Sequence, residues 1–318
     1  MRLLAALVAA LALAAPAGGG SRGAPRAELF VDAFDTTPGA AAETDVDLSL
    51  PASGISSVTE YLPVGYTLAL ARPPGTAIGE ATIFSAGRRD PEAAALFTAD
   101  PASFPADPCA PGIHAAVWTA SLDTSPLTIF VDATSGDEST LGAYKLVYCL
   151  PADRRVVDVD LDLRVVLANP ATAGVATWRA FVTPTRAAAF EVRSLVALPQ
   201  VLTAEPAFAT RTSVLTLSGR LLAAGRPREH VNVHVAVAMR PDLADARELG
   251  VARTRADGSY SLHAPLARQR TARQLTLIAY VNFYVGPCTG PPLVPGGCTE
   301  QTIAPPPAQL ASVTIPKR

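Results

Sequence analysis

Polar and apolar residues alternate along most of this chain. In Asp45-Val46-Asp47-Leu48-Ser49-Leu50 the exchange is residue by residue, the pattern of a strand with one face in a core and the other in water. The theme returns over residues 65–71, 80–85, 114–122, 127–132, 144–150, 157–167, 175–183 and 191–198. Clusters such as Arg72-Pro73-Pro74-Gly75 and Thr134-Ser135-Gly136-Asp137 punctuate it as turns. Further on, Leu215, Leu217, Gly219 and Leu221 alternate, followed by Val231, Val233, Val235 and Val237, and a last strand is predicted over Gln309 to Ile315. Ala224-Gly225-Arg226-Pro227 supplies a turn, and Asp257-Gly258, ahead of Tyr260 and Leu262, predicts a hairpin. A second hairpin is expected at Asn169-Pro170, with the Ala176, Trp178, Ala180 and Val182 face in the core. Only Pro91 to Phe97 has helical composition, at most two turns with Asp90 as N-cap. Short, regularly punctuated strands predict an all-β fold of two antiparallel β-sandwiches, immunoglobulin-like or transthyretin-like, in tandem.

Pro199 and Pro206 bracket Val201 to Glu205, which reads as the connection between an N-terminal domain over residues 29–203 and a C-terminal domain over 204–318. Within the latter, Ser218-Gly219 with Leu221, Gly225 with Pro227, the valine alternation and T-R-A-D-G-S-Y-S-L from Thr254 to Leu262 resemble the carboxypeptidase-regulatory-like, transthyretin-like β-sandwich. That accessory module occurs in many secreted proteins, and the resemblance implies an architecture without an activity. Residues 143–184 carry Cys149-Leu150-Pro151, Asn169-Pro170 and G-V-A-T-W-R-A-F-V-T-P from Gly174 to Pro184. They resemble a family of exported bacterial β proteins, which likewise brings no activity.

Length and composition narrow the class. The chain has 318 residues, enough for two domains, and 49% hydrophobic content with 17% charge excludes a disordered chain. Formal net charge is −2, without a block of either sign, so there is no electrostatic footprint for nucleic acid. Arg268, Arg270 and Arg273 gather in one stretch that reads as a solvated loop. Met1-Arg2, a short apolar run and Ala15-Pro16-Ala17 form a secretory signal peptide with cleavage expected after Ala17, followed by a flexible lead over residues 18–28. The run is too short to span a bilayer, and no later stretch reaches about 18 apolar residues. The expectation is a secreted or cell-surface protein without a membrane span.

Export changes the meaning of the cysteines. Cys109, Cys149, Cys288 and Cys298 are even in number, and pairing within domains predicts Cys109–Cys149 and Cys288–Cys298. Zinc would want tighter spacing or a nearby histidine. His230 and His234 are about 13 Å apart along a strand, too far for one ion, and read as solvated, as do His114 and His263 at strand ends. Asp158, Asp160 and Asp162 alternate with Val159 and Leu161, and are the one weak metal candidate. Calcium needs six to eight oxygens from a loop that curls around it. A straight strand lacks that loop, so these carboxylates, like Asp45 and Asp47, read as a solvated face with ordinary pKa values near 4. On that reading, replacing all three by Asn leaves stability and binding almost unchanged.

No S-x-x-K, H-E-x-x-H or P-loop is present, and no cofactor is implied. The sequence therefore points to an exported, non-catalytic structural, surface-associated or binding protein, with a protein or carbohydrate of the cell surface as partner. Two alternatives come from other classes. One is carbohydrate binding through exposed rings, for which Tyr61, Tyr66 and Trp118 are the candidates. The other is a hydrolase, or a hydrolase accessory protein, with a non-standard site.

Overall fold

The computed structural model describes residues 27–51, 54–104, 107, 110–123, 125–150, 155–240, 242–266, 272–288, 298 and 300–317. The expected signal peptide and most of the flexible lead lie outside this set, as do Cys109, Arg268 and Arg270. Two compact units emerge, one from Ser21–Leu198 with Phe283–Ala304, the other from Pro199–Asn282 with Pro305–Arg318. Both are all-β, as the alternation predicts. No helix among the described residues is long and apolar enough to cross a membrane.

The N-terminal unit contains β1 (Glu28–Ala33), β2 (Ala41–Ser49), β3 (Ile55–Leu62), β4 (Thr67–Leu68), β5 (Ala77–Ser85) and β6 (Glu92–Ala99). It continues through β7 (Ala116–Ala120), β8 (Leu127–Ala133), β9 (Tyr144–Cys149), β10 (Val156–Ala168), β11 (Gly174–Pro184) and β12 (Phe190–Leu198). In the C-terminal unit are β13 (Gln200–Leu202), β14 (Glu205–Ala209), β15 (Val214–Ala223), β16 (Arg226–Pro227), β17 (Asn232–Ala238), β18 (Arg247–Arg253), β19 (Ser259–Pro265) and β20 (Arg273–Tyr280). The chain then returns to the first unit for β21 (Tyr284–Pro287) and β22 (Glu300–Ile303), and closes the second with β23 (Gln309–Ile315).

One long sheet builds the first unit, in the order β1-β2-β10-β5-β6-β7-β8-β9-β3-β11-β12-β22-β21, with β4 beside β10. Its apolar face folds over a main core, in which Leu29 and Val31 from β1 join Val196 and Leu198 from β12. Trp178 is in that core, on the face the alternation predicts. The second unit pairs β15 with β13, β14, β16 and β19, and sets a sheet β18-β17-β20-β23 beside them over Leu217, Val233, Val235, Tyr260 and Leu277.

Four expectations are corrected. The alanine-rich Pro91 to Phe97 is strand, not helix: β6 buries Glu92, Leu96 and Thr98 on one side, so sheet pairing overrides a local preference of a few tenths of a kcal/mol per residue. Neither predicted hairpin forms between its own flanking strands. β10 pairs with β2, β4 and β5 while β11 pairs with β3 and β12, and β18 pairs with β17 while β19 pairs with β15. Both turns are corners that carry the chain from one pairing set to another. Finally, residues 283–304 belong to the N-terminal unit, because β22 lies parallel to β12, with Arg193 opposite Gln301 and Leu195 opposite Ile303. That segment has too few apolar positions to declare its sheet from sequence.

Candidate functional site

The acidic strands come together. β2 lies antiparallel to β10 with Asp47 opposite Asp160 and Asp45 opposite Asp162, and β1 places Asp32 opposite Asp45. On the far side of β10, β5 brings Thr82 opposite Asp160 and Glu80 opposite Asp162. Four carboxyl groups, Asp32, Asp45, Asp162 and Glu80, thus form one row across four strands. Asp47 and Asp160 form the next, and Asp158 sits beside Ser49, whose hydroxyl donates to it at 3.0 Å. The alternate residues Val46, Leu48, Val159 and Leu161 are buried in the core beneath.

This arrangement corrects the reading of Asp45, Asp47, Asp158 and Asp160 as water-bathed carboxylates. Each is only half-exposed. Burial first, and then the neighbouring carboxylates Asp160 and Asp32, push Asp45 up to about 7, with Arg164 acting the other way. Asp47 is pushed up to about 8 by burial and by Asp158, Asp160 and Asp45. Burial alone lifts Asp32 to about 6. Asp158 and Asp160 are raised by burial as well, against the hydrogen bonds that Ser49 and Asp47, and Asp45, respectively make to them. Asp162 is paired with Arg164, which also reaches Glu43 at 3.5 Å. Among the described residues no group of three or more His, Cys, Asp or Glu side chains is disposed to hold a metal ion. The carboxyls are spread along strands.

Arg164 is positioned by a bulge. The pairing of β10 with β2 shifts register between Leu163 and Leu167, and Val165 there adopts φ +56°, a left-handed conformation that a β-branched residue rarely takes. Arg72 donates to the Val165 carbonyl and helps hold the bulge.

A second set of charges lies on β11 and β12. Glu191 accepts from Arg193 at 2.6 and 2.9 Å and from Arg179 at 2.5 Å, with the Glu191 and Arg193 side chains 0% and 1% exposed. Burial pushes the Glu191 carboxyl up, but the arginine bonds outweigh it and hold it below the ordinary range. Inside the core, Glu60 is buried between Val58 and Leu62, accepts from the Tyr148 hydroxyl at 2.7 Å, and is pushed up to about 7 by burial. Neither Glu60 nor the arginine cluster was singled out by sequence reasoning. The only available signal for Glu60 was a carboxylate in phase with the apolar positions of Val58-Thr59-Glu60-Tyr61-Leu62.

The histidines fall in separate places. His114 is buried rather than solvated: its ring packs at a tilt against Phe130, Nδ1 lies 3.1 Å from Asp132 Oδ2, and Nε2 lies 2.9 Å from the Ala110 carbonyl. His230 precedes β17 with φ +61° and is exposed. His234 is half-buried, stacked on Tyr280 and 3.9 Å from Glu248. His263 is exposed on β19, with Nδ1 2.9 Å from the Thr216 hydroxyl and Nε2 3.3 Å from that of Ser261.

Cys288 and Cys298 are joined, with Cα atoms 6.0 Å apart, and Cys149 is also disulfide-bonded. Cys109, its expected partner, lies outside the described residues. Tyr61, Tyr66 and Trp118 are all buried, which overturns their candidacy as a carbohydrate platform. Tyr61 packs edge-on against Phe181 and donates to Glu138, Tyr66 packs against Trp178, and Trp118 is core.

No family model matches the chain, and no curated protein does. Among solved structures, a tetra-tandem repeat in the extending region of a large adhesion protein is similar at 12% identity and a TM-score of 0.25, covering 92% of this chain and 75% of that one. Escherichia coli alpha-2-macroglobulin activated by porcine elastase is similar at 12% identity and a TM-score of 0.25, covering 93% of this chain and 35% of that one. Likeness at this level assigns neither an activity nor a partner.

Proposed function

We propose that the chain works outside the cytoplasm as a non-catalytic structural or binding protein of the cell surface, with another protein as its partner. What carries this reading is the use to which its reactive side chains are put. Cys149, Cys288 and Cys298 are oxidised, which removes the thiolates a nucleophile would need and suits an oxidising compartment. Both ring nitrogens of His114 are engaged by framework acceptors. His263 meets two hydroxyls, whereas a base in a nucleophilic triad is oriented by a carboxylate. The resemblance of the C-terminal unit to a carboxypeptidase-regulatory-like accessory module supports the same conclusion. Carbohydrate binding loses its support with the burial of Tyr61, Tyr66 and Trp118.

The test uses intact host cells. Protease added outside should degrade the chain, its mature form should begin at Gly18 by mass, and denaturation should release no titratable thiol. A cytoplasmic form that begins at Met1 and carries free thiols would overturn export. A fluorophosphonate probe should leave the protein unlabelled. Labelling at Ser261 that disappears in His263→Ala would establish the hydrolase alternative instead.

A further inference from the structure

Opposed carboxylates weaken a sheet, yet β1, β2, β10 and β5 align them in consecutive rows. The titratable groups on this outer face are Glu28 and Asp32 from β1, Glu43, Asp45 and Asp47 from β2, Asp158, Asp160 and Asp162 from β10, and Glu80 from β5. Arg164 is the one cationic side chain in these rows, and it is taken by Asp162 and Glu43. From β6, the strand beyond β5, the uncharged Ala93, Ala95 and Phe97 face this side, with Ala93 opposite Thr82 and Ala95 opposite Glu80. Charge is therefore not balanced by neighbours.

Hydrogen-bond chemistry offers another way to hold such a face together. An ionised carboxylate only accepts, so two of them can bond only if one keeps its proton. Asp45 lies within bonding reach of Asp160, and Asp47 within reach of Asp158, each on the diagonal between β2 and β10. Oδ1 of Asp47, of Asp160 and of Asp162 is buried without a protein partner. We infer that Asp45–Asp160 and Asp47–Asp158 are proton-sharing pairs that make the attachment of β1 and β2 to β10 a pH-sensitive contact, closed when each pair holds a proton and loosened when it is lost.

The direction follows from the carboxyls already described. Asp45 and Asp47 are pushed up to about 7 and about 8 in the folded chain, above the ordinary aspartate range near 4. The folded state thus binds protons that the unfolded chain has released. Their stabilisation is complete below the unfolded pKa and is lost as pH rises through the folded values. The window for loosening runs from about pH 4 to about pH 8 and ends above neutrality.

Amide hydrogen exchange on the full chain, corrected for the intrinsic pH dependence of exchange, reads the contact strand by strand. Between about pH 5 and about pH 9, protection of β1 and β2 should fall at least about tenfold relative to β8 and β9. Asp45→Asn with Asp47→Asn keeps a donor in each pair at every pH and should abolish that relative fall. Equal protection of β1 and β2 at both pH values, or a pH-dependent fall that persists in the double variant, would overturn the inference. Should the double variant fail to fold, carbon-13 titration of the wild-type aspartates decides the matter. Midpoints near 7 and 8 for Asp45 and Asp47 sustain the pairs, and midpoints near 4 for both overturn them.

Discussion

Replacing Gly219 by Ala should destabilise the C-terminal unit far more than the size of one methyl group suggests. A Cβ at Gly219 would stand 1.9 Å from the Thr203 carbonyl oxygen and 2.8 Å from Cε1 of Tyr260, while the backbone itself needs no left-handed torsion. Relief requires β15 and Thr203 to part by about 1 Å, and the bonds that join them there are short. Thr203 N donates to the Arg220 carbonyl at 2.9 Å, Arg220 N donates to Thr203 Oγ1 at 2.9 Å, and the Tyr260 hydroxyl donates to the Thr203 carbonyl at 2.6 Å. At about 1 kcal/mol for each bond, the loss is about 3 kcal/mol, or a fall in melting temperature of about 15 °C for a unit of this size. Gly225 provides the contrast: φ is +74° and no atom lies within 4 Å, so Ala there should cost only the left-handed conformation, about 1 kcal/mol. Tyr260→Phe isolates the third bond, and because Gly219→Ala already breaks it, the two changes together should destabilise by less than their sum. Denaturant titration of the whole protein measures each value on the transition assigned to the C-terminal unit. If Gly219→Ala lies within about 1 kcal/mol of wild type, or equals Gly225→Ala, the close-approach argument is wrong.

Two further outcomes follow from the N-terminal unit. Glu191→Gln removes the carboxylate shared by Arg179 and Arg193 and should cost about 3 kcal/mol at neutral pH in a denaturant titration. Because Glu191 is held below its ordinary pKa, its contribution is present above the unfolded value and lost as pH falls, so the variant and wild type should converge in acid, and an unchanging gap would contradict the assignment. Val165→Gly should instead stabilise by about 1 kcal/mol, since the side chain is exposed and the left-handed torsion is relieved; a loss of stability would show that Val165 contributes packing.

The parts of the fold legible in sequence were those decided by one strand and its core. Trp178 and its neighbours alternate without interruption, and β23 runs from Gln309 to Ile315 as the pattern predicts. Turn residues showed where the chain bends but not which strands meet afterwards: Asn169 is buried and donates to the Asp35 and Thr37 carbonyls, clamping a corner that the Asn-Pro signal presents as a hairpin. Asp90 ahead of Pro91 and three alanines suggested a helix start, whereas the burial of Glu92 next to Arg88 belongs to a strand. Cysteine pairing between Cys288 and Cys298 was accessible because both lie in one short loop, although that loop serves the other unit.

Charged positions were the least legible, and the reason is register. Asp47 and Asp160 occur in segments with the same alternation, and each alone is a carboxylate on the polar side of a strand. Whether such a carboxylate meets water, an arginine or another carboxylate depends on a partner strand distant in the chain. A slip of one residue between β2 and β10 would turn one strand's apolar side outward, so core burial fixes the pairing to within two residues. A slip of two residues would keep every apolar contact in phase and still change the neighbours of each carboxyl group. The same holds on β12, where Glu191 and Arg193 sit on a side that reads as polar but is buried, and their mutual pairing, with Arg179 brought to Glu191 from β11, makes that burial tolerable. Hydrophobic periodicity therefore specifies which side of a strand enters the core. The chemistry of the other side is a property of pairs, created when the strands are aligned.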